Sequence, residues 1–179
     1  CALPILMARR IVGIAGLVLL ALSAVSQADE GLVATIGPSG DTVDLGHRSG
    51  DRAVVDHIPL HRAGDVRYFS AGVGLDERSA TYPPFSLKLV FTAGGKPFLA
   101  GVSVTIKPAK GGAAMTIPPD EVDGPWLFVD LPTGVYDLTA VHRDREQSLK
   151  GVKIEAGKRK ELQIRWPEDR GLAKALPAE

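Results

Sequence analysis

The chain has 179 residues, 45% of them apolar and 23% charged, and its 21 basic side chains balance 21 acidic ones, a composition that excludes disordered, collagen-like and polytopic membrane classes. A pI near 7.1 argues against a dedicated nucleic-acid binder, which carries a basic domain. With 20 glycines and 13 prolines the chain turns often, which favours short strands in a sandwich or barrel over long helices.

In chain order, Met7-Ala8-Arg9-Arg10 opens a basic patch, Ile11 to Val25 is an apolar run, and Ser26-Gln27-Ala28 supplies small residues at the positions a signal peptidase reads. This pattern predicts a secretory signal peptide cleaved after Ala28. The run is short for a membrane span and is interrupted by Gly13 and Gly16, so no stable span is expected after cleavage. Residues Cys1 to Leu6 precede Met7 and are expected to lack structural meaning. Residues 1–28 thus comprise upstream residues plus signal peptide. The only cysteine, Cys1, lies ahead of the apolar run, where it can serve neither lipid attachment nor a disulfide in the mature chain. A cysteine-free secreted protein fits the bacterial periplasm.

Residues 29–85 carry nine acids, five arginines and no lysine, with short apolar pieces such as Leu32 to Ile36. The pieces look too short for a core of their own, and the stretch is expected to be a poorly structured extension, partly extended or disordered and partly laid against the following domain. Tyr82-Pro83-Pro84-Phe85 is expected to mark the boundary, because two prolines hold the backbone extended.

From Ser86 the hydrophobic period becomes two. Leu87, Leu89 and Phe91 share one face, and Ala93 to Pro97 is turn chemistry. Val102, Val104 and Ile106 alternate with Ser103, Thr105 and Lys107. A short strand around Ala114 to Ile117 precedes an acidic loop, Pro118 to Pro125. Further strands follow at Trp126 to Val129, at Tyr136, Leu138 and Ala140, at Leu149 to Ala156 with Val152 and Ile154 inward, and at Leu162, Ile164 and Trp166. The predicted fold is all-β, an antiparallel immunoglobulin-like or prealbumin-like sandwich of six or seven strands over 86–166, followed by a polar tail at 167–179. The predicted core comprises Leu89, Val104, Trp126, Tyr136, Leu138, Ile154, Leu162 and Trp166. In the corner Leu131-Pro132-Thr133-Gly134, Pro132 fixes φ, Gly134 is expected to take a left-handed conformation, and the Tyr136 hydroxyl is expected to bond nearby backbone.

The segments Phe85 to Phe91, Gly101 to Lys107, Asp123 to Phe128 and Leu131 to Ala140 resemble the carboxypeptidase regulatory-like domains of bacterial secreted and periplasmic proteins. The resemblance spans roughly residues 68–166 and includes Gly72 to Glu77. It implies a prealbumin-like β-sandwich and implies no activity, since the zinc peptidase module of the founding proteins has no counterpart in this chain.

Few residues combine into a chemistry. His57 and His61 have the helical spacing of a zinc pair, but Pro59 lies between them, and without a helix the spacing loses its meaning. His47 and His142 read as isolated surface residues. Asp120, Glu121 and Asp123 form an oxygen-rich loop, with fewer carboxylates than calcium wants. No Gly-x-Ser-x-Gly elbow or dinucleotide loop is present. The expected sites are therefore none for catalysis, cofactor or metal. Lys150, Lys153, Lys158, Arg159, Lys160 and Arg165 form a basic stripe that could attract anions. The leading expectation is a non-enzymatic module with a structural or binding role. The second is a carbohydrate- or cell-envelope-binding module using exposed Tyr68, Phe69 and Tyr82, and the third a small hydrolase. The partner classes are cell-envelope polysaccharide or another envelope protein.

Overall fold

Period-two alternation predicts strands, and strands dominate the computed structural model, which describes residues 31–94 and 99–167. The signal segment with its Ala28 site, Cys1, the turn residues 95–97 and the tail beyond Pro167 lie outside the described residues. The strands are β1 (Ala34–Ile36), β2 (Thr42–Ser49), β3 (Arg52–Pro59), β4 (His61–Ala63), β5 (Val66–Ala71), β6 (Leu87–Ala93), β7 (Ser103–Pro108), β8 (Met115–Ile117), β9 (Trp126–Val129), β10 (Gly134–His142), β11 (Arg145–Ile154) and β12 (Lys160–Trp166). A five-residue helix, α1 (Leu75–Ser79), and a 3-10 turn, Pro119–Glu121, complete the regular structure. Among the described residues no helix is long and apolar enough to cross a membrane.

Two sheets face each other across one core. The first runs β11-β10-β7-β8 and the second β12-β6-β9-β5-β4. Leu87, Leu89, Phe91, Val102, Val104, Ile106, Leu138, Ala140, Ile154 and Ile164 pack together there with Trp166. In β6, β7, β10 and β12 the inward residues alternate with outward ones, as the sequence predicts. The wholly antiparallel expectation is corrected at one edge, where β12 pairs β6 in parallel, Lys160 beside Leu87 through Trp166 beside Ala93.

The largest correction concerns residues 29–85. This stretch contributes two strands, β4 and β5, to the second sheet, and β1-β2-β3 form a separate three-stranded sheet. Ala34, Val43, Leu45, Ile58, Leu60, Phe69, Tyr82 and Phe85 bury themselves with Phe128 in a second core. The pieces are too short to make a core alone, but β9 supplies the missing partner. Phe69 and Phe128 are register partners on β5 and β9, their rings stacked 4.6 Å apart, with Phe85 edge-on to Phe69 at 5.0 Å. Tyr82 and Phe85, on either side of the two prolines, are therefore part of this core.

One predicted core residue is corrected. Trp126 shares the outer face of β9 with Phe128, while Leu127 and Val129 face the inter-sheet core. It is half-buried, with the Lys88 ammonium 3.9 Å from its ring centre, a cation–π contact. Leu162 is also half-buried but packs against the inter-sheet core as expected, from an edge strand. Leu89, Val104, Tyr136, Leu138, Ile154 and Trp166 are buried as expected.

Candidate functional site

A concavity lies where the β9–β10 corner, the β11–β12 turn and the Pro84–Ser86 segment meet, a cleft of about 520 Å³. Each wall has a local cause. Ser86 pins the corner, its Oγ accepting from the Leu131 amide at 2.8 Å and donating to the Leu131 carbonyl at 2.9 Å. Tyr136 closes the corner by donating its hydroxyl to the Pro132 carbonyl at 2.9 Å, the bond its sequence position predicts. Burial raises the Tyr136 phenol pKa, so the donor stays protonated. Gly134 serves a different purpose from the expected left-handed turn. It is absent from the positive-φ residues, but a Cβ there would lie 3.2 Å from the Tyr136 ring, and glycine lets the ring lie against the backbone.

The charged residues lining the cleft are each bound to another side chain or to backbone. Asp130 accepts from Arg67 at 2.6 Å. Glu155 accepts from Lys153 at 2.7 Å and from Lys158 at 3.0 Å, and these bonds hold its carboxyl below the usual 4.5 while raising the Lys153 pKa. Arg159 reaches across the seam to the N-terminal part of the chain. Its Nε donates to the Phe85 carbonyl at 3.2 Å, and its Nη2 to the Tyr82 carbonyl at 3.0 Å and to that of Pro83. The predicted basic stripe thus divides. Lys153, Lys158 and Arg159 are engaged within the protein, whereas Lys150, Lys160 and Arg165 are exposed and make no ion pair among the described residues.

The histidines separate. His57 stands on β3 against Asp44, Nδ1 to Oδ1 at 2.8 Å, and this bond with that of Thr42 lowers the Asp44 pKa. His61 stands on β4 in another sheet, stacked on Tyr68 at 5.4 Å with Nδ1 3.8 Å from Glu121. Strands replace the helix the zinc spacing requires, and no group of three or more metal-binding side chains occurs among the described residues.

His47 is corrected from an isolated surface residue to a mostly buried one, its ring nitrogens 3.1 Å from Asp56 and 3.2 Å from Asp76 of α1. These are close contacts without aligned hydrogen bonds, and the nitrogens face different carboxylates, so one ion cannot join all three. His142 is likewise corrected, packing edge-on to Trp166 at 6.1 Å.

In the acidic loop, Glu121 accepts the Tyr68 hydroxyl in a short bond, while Asp120 and Asp123 are exposed. Burial, then the Glu121 bond, raises the Tyr68 pKa. The exposed aromatic strip is corrected too. Tyr68, Phe69 and Tyr82 are 4%, 0% and 5% exposed, so none offers a ring to a sugar.

Sequence reasoning missed the Arg159 staple, because its carbonyl partners stand more than seventy positions earlier and carbonyls carry no residue-type signal. No family model matches this chain, and no curated protein matches it.

Proposed function

We propose that this chain is a secreted, periplasmic module of the carboxypeptidase regulatory-like kind, with an immunoglobulin-like or prealbumin-like sandwich, that acts by binding or by structural support rather than by catalysis. The observation that carries this reading is the state of the cleft at the β9–β10 corner. Asp130, Glu155, Lys158 and Arg159 are each held by another protein group. A catalytic acid or base must be within reach of a substrate proton and carry a pKa suited to its exchange. Glu155 instead has its carboxylate stabilised by two ammonium groups, which weakens it as a base near neutrality. The two facing sheets and the Tyr136–Pro132 corner support the sandwich reading, and the Arg9-Arg10 patch, apolar run and Ala28 site support export.

The test uses exported protein beginning at Asp29, incubated with chromogenic ester, peptide and glycoside substrates. No turnover above buffer is expected. Turnover abolished by Glu155→Gln or Thr133→Ala would overturn the reading and place a hydrolase in its stead.

A further inference from the structure

A β-sheet edge offers unpaired backbone groups to any strand that fits, and proteins usually blunt such edges with bulges, charge or shortness. The edges differ sharply in this respect. β1, β4 and β8 have three residues each. On β11 the pairing is broken by an irregularity opposite Tyr136 and Leu138, and Lys150 and Lys153 stand exposed along it. β3 is neither short nor bulged, and its charges, Arg52 and Asp56, are of opposite sign. It pairs with β2 through eight consecutive residues without a shift, and no strand lies on its other side. Val55, in its middle, is 49% exposed.

Hairpin geometry says which groups face that open side. Gly50 and Asp51 form a two-residue loop between the paired Ser49 and Arg52, which makes Ser49 and Arg52 a hydrogen-bonded pair. Arg52, Val54, Asp56 and Ile58 therefore direct their N–H and C=O groups towards β2, and Ala53, Val55 and His57 direct theirs outward. Pro59 has no N–H to offer and ends the outward ladder.

We propose that the open edge of β3 is a homodimer interface, in which β3 of a second copy adds antiparallel to it and joins the two three-stranded sheets into one of six. Charge selects the register. With Val54 opposite Val54 of the second copy, Arg52 faces Asp56 at both ends of the ladder, Ala53 faces Val55, and Asp51 faces His57. The registers on either side set Arg52 against Ile58 or against Val54, and the next one beyond the first sets Asp56 against Asp56. Only the register centred on Val54 therefore pairs opposite charges twice on one face, and opposite-charge pairs across strands stabilise while like charges facing each other destabilise. The symmetry is that of an isologous two-fold contact, in which the same patch meets itself. Arg52 is exposed and makes no ion pair within its own chain among the described residues, and half of the Asp56 side chain remains exposed beside His47.

Charge reversal tests the interface and its register together, by sedimentation equilibrium of the protein as exported. The parent chain is expected to dimerise reversibly. Arg52→Asp sets carboxylates against carboxylates, and Asp56→Arg sets guanidinium groups against one another; each alone should weaken association by about tenfold or more. Mixed in equal amounts, the two variants restore both opposite-charge pairs and should form a heterodimer with affinity near that of the parent. Val55→Pro removes an outward N–H without altering charge and should also give monomers, which keeps the test open if a reversed variant folds poorly. A parent that stays monomeric at every concentration, a dimer unmoved by all three substitutions, or reversed variants that do not recover in the mixture would overturn the proposal.

Discussion

The two cores of this protein are built from different material. Between the two large sheets the buried side chains are mainly aliphatic and come mostly from strands in which inward and outward residues alternate, so most strands carry their own half of the pattern. Behind the second sheet the core is an aromatic cluster of Phe69, Tyr82, Phe85 and Phe128, closed by a few aliphatic residues of β1, β2 and β3. The first core assembles from a local rule repeated many times. The second depends on one strand, β9, that is apolar on both faces, and residues 31–85 fold against it because Phe128 gives them something to cover.

Adjacent residues of β9 put the comparison to its hardest test. Phe128→Ala empties the aromatic core, Leu127→Ala empties the inter-sheet core, and both side chains are almost wholly buried. Losses of about 3–5 kcal/mol for Phe128 and about 2–5 kcal/mol for Leu127 are expected, each a large part of the stability of a domain this size. If the two cores are one cooperative unit, urea unfolding of either variant stays a single transition at a lower midpoint. A Phe128→Ala variant that unfolds in two steps, the second unchanged from the parent, would make the aromatic layer a separable addition. The corner gives a smaller effect. Tyr136→Phe removes the bond to Pro132 and leaves the ring in place, so a loss of about 1 kcal/mol is expected by the same measurement.

The two long hairpins sharpen the contrast in the other direction. The β2–β3 turn places Gly50 at its positive φ of 62°, whereas the β10–β11 turn forces Arg143 and Asp144 to φ of 46° and 62°. Replacing them by Asn-Gly, the pair such turns prefer, is expected to stabilise by about 0.5–1 kcal/mol, read as a rise in melting temperature. The smallest effect is electrostatic. The native pKa of Glu155 lies below the ordinary 4.5, so its ion pairs contribute fully above that pH and are lost as pH falls through the depressed value. Glu155→Gln should therefore melt slightly below the parent near neutrality, with the gap closing in acid. A gap that persists below the depressed pKa would mean that the side chain acts through packing.

What could be read from the sequence follows the same division. Leu87, Leu89 and Phe91, or Val102, Val104 and Ile106, announce their face because polar residues separate them or flank them on a regular beat. Trp126-Leu127-Phe128-Val129 has no polar residue to set its phase, and choosing Trp126 as inward puts every residue of the strand on the wrong face. In residues 29–85 the inward positions come in twos, Val43 with Leu45, Ile58 with Leu60 and Phe69 with Ala71, among enough acids to resemble an unfolded stretch. The Tyr136 bond at the corner was legible because its partner, Pro132, lies four residues away, although the conformation of Gly134 was not. The rest of the cleft was not, since Arg159 and Arg67 meet partners set by tertiary folding alone.

The parallel pairing of β12 with β6 has a consequence for how the chain reaches its native state. The strand that borders the second sheet is the last regular element described, and it docks beside the strand that follows Phe85. During synthesis, β6 must wait with one side open until β12, some seventy residues later, has emerged. Pairing over such a separation closes a large loop before it gains contacts, which slows folding and leaves the intermediate open to aggregation. A ribosome-bound or translocating chain halted before Lys160 would therefore present a hydrophobic, strand-shaped vacancy, and holding chaperones would meet this protein at that moment.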